Sequence, residues 1–202
     1  KINKILYLAR DRLGQKPLYF YHNKKNNFLI FSSDIKVIKD VLKDKLKISK
    51  KNLNIFLSLS YFPKDITIYD EVKKLKAGNY IQYSNIKNST IVHTYWKPKY
   101  NNNFIEKNEK KVIDKCEKIL LDSLEQTLIS DVPVSFYLSS GTDSSLLCAL
   151  TKKCLNRDVK AYTLVNKDIP HDESADVKKI SDHLKLNTNY IEINPSLLKE
   201  NI

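Results

Sequence analysis

"VSFYLSSGTDSSLLCAL", residues 134–150, runs from an aromatic, apolar segment through seven small polar residues into leucines. An ordinary surface turn needs only two or three such residues. Seven at a strand-to-helix junction indicate a ligand, and an anionic one. Ligands of open α/β sheets bind beyond the carboxyl ends of the strands. A helix beginning near Asp143 would aim free N–H groups and the positive end of its dipole at one point. Gly141 allows close backbone approach or positive φ, and the hydroxyls add donors that can follow phosphate oxygens. Asp143 either caps the helix or holds a magnesium ion bridging phosphates. The Walker A pattern fails because no lysine follows Gly141, and GxGxxG fails because one glycine stands where three are needed. A serine-rich helix start without a ligand is the plain alternative.

Outward from this turn, alternation of short apolar strands and helices continues to the end of the chain. An amphipathic helix carries Val112, Cys116, Ile119, Leu120, Leu124 and Leu128 at helical spacing. Strands are expected at 133–138, 159–165 and 189–193, with helices at 143–155 and 174–186. That order implies a parallel sheet with right-handed crossovers. Before residue 100 the period changes. "KILYLAR", "PLYFYH", "FLIFSS", "TIYDEV", "NYIQYS" and "IVHTYW" read as strands joined by turns at 23–27 and 77–79. A helix is expected over 50–60, with Leu53, Phe56, Leu57 and Ser60 on one face. The polar stretch 97–110 reads as a linker, and a short turn is expected at 195–200.

The chain has 202 residues and a net charge of +12, but only three of its basic residues are arginines, Arg10, Arg12 and Arg157. The lysines are scattered among asparagines without an aromatic stripe, so no nucleic-acid face is expected. No apolar run reaches the ~18 residues that span a bilayer, so no membrane role is expected. Three cysteines without CxxC spacing fit a reducing, cytoplasmic setting, and Cys116, Cys148 and Cys154 are each expected to be packed in the interior. His22, His93, His171 and His183 show no metal or triad spacing. With no methionine and Lys1 at its start, the chain reads as an internal fragment of a longer protein.

The pattern Ser-x-Gly-x-Asp-Ser resembles the SGGxDS pyrophosphate loop of the ATP pyrophosphatases, with Ser140 in place of a glycine. If that position needed positive φ, serine would cost about 1 kcal/mol of strain. "DVPVSFYLSSGTDSSLLCAL" resembles the signature of the glutamine-dependent asparagine synthetases, and "AYTLVNKDIPHDESADVKKISDHLKLNTNYIEI" their next strand–helix–strand unit. "LARDRLGQKPLYFYH", "FSSDIKVI", "YFPKDITIYDEVKKLKAGNYIQY" and "TYW" are similar to the stretches that precede it in the same family.

The resemblance implies an α+β N-terminal-nucleophile glutaminase portion of antiparallel sheets over 1–96, the last part of a class II glutamine amidotransferase domain. A linker (97–108) follows, then an α/β parallel sheet resembling the adenine-nucleotide α-hydrolases over 109–202, the opening of a synthetase domain. It implies a ligase: ATP activates the aspartate β-carboxylate with release of pyrophosphate, and glutamine-derived ammonia then gives asparagine. ATP and Mg2+ are implied as cofactors; aspartate and glutamine are the other small-molecule substrates, and a homodimer is left open. Carried over, Ser139, Gly141, Asp143, Ser144 and Ser145 fall on the pyrophosphate loop, with Ser140 and Thr142 at its altered or variable positions. Tyr137 or Leu138, with Leu164, fall where adenine packs, or else are plain sheet core. Asp172 and Glu173 either approach metal or substrate or cap a helix with Ser174. Arg10 and Asp11 are expected to be structural, an ion pair in a buried hairpin or at the domain interface. The N-terminal cysteine nucleophile of such a glutaminase is not in residues 1–96, so this fragment alone is expected to be inactive. The rival readings are a related ligase acting on another acid, as in β-lactam formation or peptide or glycan amidation, and a non-catalytic remnant.

Overall fold

The computed structural model describes residues 4–100, 106–165 and 172–193. His171, the turn expected at 195–200 and the middle of the linker, 101–105, lie outside the described residues. The chain divides into two units, Lys1–Asn101 and Asn102–Ile202.

The first unit holds two antiparallel sheets. In one, β1 (Ile5–Ala9) pairs with β5 (Asn79–Ser84), which pairs with β6 (Ser89–Thr94). In the other, β2 (Tyr19–Asn23) lies between β3 (Phe28–Ser32) and the two-residue β4 (Lys73–Lys74). Leu8, Ile81 and Tyr83 of the first sheet pack with Leu75 against Phe20 and Leu29 of the second. The opposite side of the second sheet, with Tyr19, Tyr21, Phe28 and Ile30, packs on α1 (Ile35–Leu42) through Ile38 and Leu42. A sheet covered on both faces needs apolar residues in both registers, hence the unbroken run "FLIF". The α1 helix was not among the expected elements. It starts where the Asp34 carboxylate accepts from the Lys36 N–H at 2.8 Å, a side-chain cap.

The expected helix over 50–60 is α2 (Lys50–Leu59), and Ser60 closes it in the left-handed conformation. Its buried residue is Asn52, whereas Phe56 and Leu57 are exposed. The strand expected from "TIYDEV" does not form, apart from one bridge between Ile48 and Tyr69. The buried Thr67 hydroxyl explains this. It accepts from the Tyr69 N–H at 3.1 Å and lies 2.9 Å from the Val72 carbonyl, folding the segment on itself. A side chain that serves the local backbone competes with a sheet ladder.

Arg10 and Asp11 do not form the expected ion pair; each grips main chain instead. The Arg10 guanidinium donates to the carbonyls of Lys16, Leu75 and Gly14 at 2.9, 2.7 and 2.7 Å. The Asp11 carboxylate accepts from the N–H groups of Gln15 and Lys16, which hold its pKa below the usual range.

The second unit opens with α3 (Glu109–Thr127), capped by the Asn108 side chain on the Lys111 N–H. Of its apolar stripe only Leu124 is buried; Ile119 is 58% exposed, and Cys116 is exposed as well. Then come β7 (Phe136–Tyr137), α4 (Thr142–Ala149), a π-helical turn (Leu150–Cys154), β8 (Lys160–Val165), α5 (Ser174–Leu184) and β9 (Asn187–Glu192). The strands form a parallel sheet in the order β7-β8-β9. Strand β7 is shorter than the expected 133–138, because only Phe136 and Tyr137 pair, with Leu138 adding one bond to the Tyr162 carbonyl. The helix expected over 143–155 changes to π spacing at Leu150, where the Leu155 N–H bonds the Leu150 carbonyl. Cys148 is buried with Leu138, Val159, Ala161, Val177 and Leu184, whereas Cys154, expected inside, is exposed. Among the described residues no helix is long and apolar enough to cross a membrane.

Candidate functional site

Residues 139–141 connect the carboxyl end of β7 to α4, so the polar stretch lies where an open parallel sheet receives ligands. Most of its groups bind one another. The Ser139 N–H donates to the Ser144 hydroxyl at 3.2 Å, and the Ser139 and Ser144 hydroxyls are 2.9 Å apart. The Gly141 N–H donates to the Ser139 hydroxyl at 3.2 Å, and the Ser145 hydroxyl donates to the Gly141 carbonyl at 2.8 Å. Ser140 turns outward from this cluster, its N–H and hydroxyl both donating to Glu173 Oε2 at 2.9 Å.

Three donors are left over. Helix α4 begins at Thr142, and its first intrahelical bond runs from the Ser145 N–H to the Gly141 carbonyl at 3.2 Å. The N–H groups of Thr142, Asp143 and Ser144 therefore have no helical acceptor, as at any helix start. Among the described residues no side chain is seen to take them, and Gly141, the cap residue, provides no side-chain bond. Asp143 is thus not the cap; its carboxylate is exposed in the first helical turn.

Gly141 has φ −67°, so its glycine character is not used for left-handed backbone. A Cβ there would meet the Ser139 hydroxyl at 3.2 Å, a tight contact that would press on the Ser139 oxygen which the Gly141 N–H uses. Ser140 is not among the positive-φ residues either, so serine at that position carries no left-handed strain.

Beside the turn lies a cleft of about 530 Å3, to which Tyr137, Leu138, Ser139, Ser144, Leu164, Asp172 and Glu173 all contribute. Tyr137 is 82% and Leu164 54% exposed, which leaves their faces open to a flat ligand. Leu138 is 3% exposed and belongs chiefly to the core. Ser140 and Gly141 in the adjoining turn, and Thr142, Asp143 and Ser145 in the first turn of α4, are not on the cleft wall. Three wall residues were not anticipated: Tyr162, Thr163 and Ile193. Burial alternates along β8, with Ala161, Thr163 and Val165 inside and Tyr162 and Leu164 more open. That period-2 signal was present in "AYTLV" and points to Tyr162.

The acidic pair is only partly a helix cap. Glu173 is the cap residue of α5 by its backbone, yet its side chain makes no cap bond and reaches back to Ser140. Hydrogen bonds from the Ser140 N–H, then from its hydroxyl, hold the Glu173 carboxyl below the ordinary glutamate pKa. Asp172 accepts from the Ser174 hydroxyl. Among the described residues no group of three or more His, Cys, Asp or Glu forms a metal cluster. His22 is instead 3.0 Å from the Asn88 side-chain oxygen, and His93 stacks on Tyr80 at 4.8 Å.

Comparison with known proteins matches residues 1–96 to a glutamine amidotransferase domain and residues 115–202 to asparagine synthase. The putative asparagine synthetase [glutamine-hydrolyzing] 2 of Methanocaldococcus jannaschii is 29% identical over 90% of this chain and 35% of its own length. Asparagine synthetase [glutamine-hydrolyzing] 1 of Bacillus subtilis is 30% identical over 76% of the chain and 23% of its own length. Amidase chry2 of Gibberella zeae is 24% identical over 96% of the chain and 30% of its own length. The chain thus spans about a third or less of these relatives. The chain thus matches a glutamine amidotransferase domain followed in tandem by asparagine synthase, and relatives named asparagine synthetase [glutamine-hydrolyzing] align with most of its sequence.

Proposed function

We propose that this chain is part of a glutamine-dependent asparagine synthase and that the turn after β7 receives the pyrophosphate of ATP. The observation that carries this reading is the set of N–H groups on Thr142, Asp143 and Ser144, without an acceptor among the described residues, at a strand's carboxyl end beside the cleft. Residues 109–202 then open a nucleotide-binding α/β domain of the adenine-nucleotide α-hydrolase type, and residues 1–96 close the amidotransferase domain that supplies ammonia.

In the first step an oxygen of the aspartate β-carboxylate attacks the α-phosphorus of ATP. The bond from that phosphorus to the bridging oxygen of the β-phosphate breaks, and pyrophosphate leaves with the electron pair. Donors fixed before reaction stabilise that developing charge without reorganising. The N–H groups of residues 142–144 and the α4 dipole are so placed. The open faces of Tyr137 and Leu164 suit a purine ring. Ammonia then attacks the acyl carbon, AMP departs, and the amine gives up a proton to leave the amide.

A magnesium ion, when bound, supplies positive charge that offsets the phosphates. Asp143 is the residue to hold it, because Mg2+ commonly takes one or two carboxylates and completes its shell with phosphate oxygens and water.

Aspartate-dependent exchange of labelled pyrophosphate into ATP by the full-length protein tests this reading. Exchange that requires aspartate is expected, whereas no exchange with any carboxylic acid would overturn it. Exchange supported by another carboxylic acid and not by aspartate would point to a related ligase acting on that acid.

A further inference from the structure

The turn is shaped by side chains before any ligand arrives. Three consecutive N–H groups, those of Ser139, Ser140 and Gly141, already donate to Ser144, Glu173 and Ser139. Only Glu173 in this set comes from outside the turn and α4, 33 residues along the chain at the start of α5. It takes two hydrogen bonds on one oxygen, and the second comes from the Ser140 hydroxyl. The family pattern has glycine at that position, and glycine has no such donor. Serine fits there because the backbone is not left-handed.

We propose that Ser140 and Glu173 form a clasp that positions the turn for its anionic ligand, with Glu173 a positioning residue and the Ser140 hydroxyl its second attachment. This rests on the reading of residues 139–145 as a pyrophosphate loop. The clasp ties the β7–α4 turn to the residue that opens α5, so the open N–H groups of residues 142–144 point at one place without reordering when the ligand binds. Preorganisation of this kind raises affinity by removing an ordering cost. The opposite role, a carboxylate that competes with phosphate for the donors at 142–144, does not match the contacts: among the described residues Glu173 accepts from Ser140 and not from residues 142–144.

The test is calorimetric binding of inorganic pyrophosphate with Mg2+ to the full-length protein and to Glu173→Ala, Glu173→Gln, Ser140→Ala and the Glu173→Ala/Ser140→Ala pair. Loss of a charge-assisted bond predicts a dissociation constant about tenfold higher for Glu173→Ala and about threefold higher for Ser140→Ala. The pair should lie within about twofold of Glu173→Ala alone, because both changes act through one contact. General destabilisation would add instead. The Gln variant, which keeps an acceptor oxygen and the side-chain shape, should recover part of the loss and serves should the Ala variant fail to fold. Tighter or unchanged binding in the variants, or additive losses, would overturn the clasp while leaving the pyrophosphate reading intact. Failure of the parent protein to bind magnesium pyrophosphate would overturn both.

Discussion

Gly78 is the position in the first unit where one added methyl does most damage. It has φ +66°, and a Cβ on it would lie 2.2 Å from the Trp96 carbonyl oxygen and 3.1 Å from its carbon. That neighbour is main chain, so it cannot swing aside as a side-chain tip can. Relief requires the strand end to retreat by about 1 Å, given optimal non-bonded separations of about 3.5 Å. The Gly78 carbonyl accepts from the Tyr95 and Trp96 N–H groups at 2.9 and 3.1 Å, so retreat breaks both bonds. Two hydrogen bonds at about 1 kcal/mol each and a left-handed alanine at about 1 kcal/mol give roughly 3 kcal/mol for Gly78→Ala. Trp96 is the only tryptophan, so its fluorescence during urea unfolding reports this joint directly. A slope of about 2 kcal/mol per molar urea turns the loss into a midpoint lower by about 1.5 M. Gly14→Ala is the control. Its φ is +69°, but its nearest neighbours are side-chain atoms, the Arg10 guanidinium at 2.9 Å and the Ala77 Cβ at 3.1 Å, and none lies as close as the Trp96 carbonyl does to Gly78. Gly78→Ala unfolding at the parent midpoint, or no lower than Gly14→Ala, would refute the reasoning.

Burial raises the Cys148 thiol to about 11, so Ellman's reagent at pH 8 should label Cys116 and Cys154 in the native protein and Cys148 only after denaturation; three equal native rates would contradict this. Thr67→Val keeps the shape and removes the hydroxyl serving Tyr69 and Val72, so a loss of about 2 kcal/mol is expected in the same urea assay. Glu173 has its folded pKa below the unfolded value, so the contact with Ser140 contributes fully above the ordinary glutamate value of about 4.3 and is lost as pH falls through the lower folded value. Protection of the Ser140 amide, its exchange measured against the intrinsic rate at each pH, should fall across that acid range. The same fall in Glu173→Gln, which cannot titrate, would count against it.

Element types in both units were legible because they depend on local period and local chemistry. The polar run 139–145 between apolar flanks announced a strand–turn–helix, and alternating strands and helices announced a parallel sheet. The failures also have local causes. Helix α1 is eight residues long, and its Asp34 cap is a signal that the strand-like "FLIFSS" before it obscured. "TIYDEV" has the composition of a strand, yet Thr67 spends its hydroxyl on its own neighbours.

The candidate site divides in the same way. Residue types at 137–145, their order and their place before a helix were written in the chain, since a helix start exposes its first N–H groups whatever surrounds it. Only the tertiary structure decided which of those donors stay open. Glu173 reaches Ser140 across 33 residues because the parallel pairing of β7 with β8 sets the end of β7 near the start of α5. Such a contact depends on strand order in space, and no spacing along the chain encodes it.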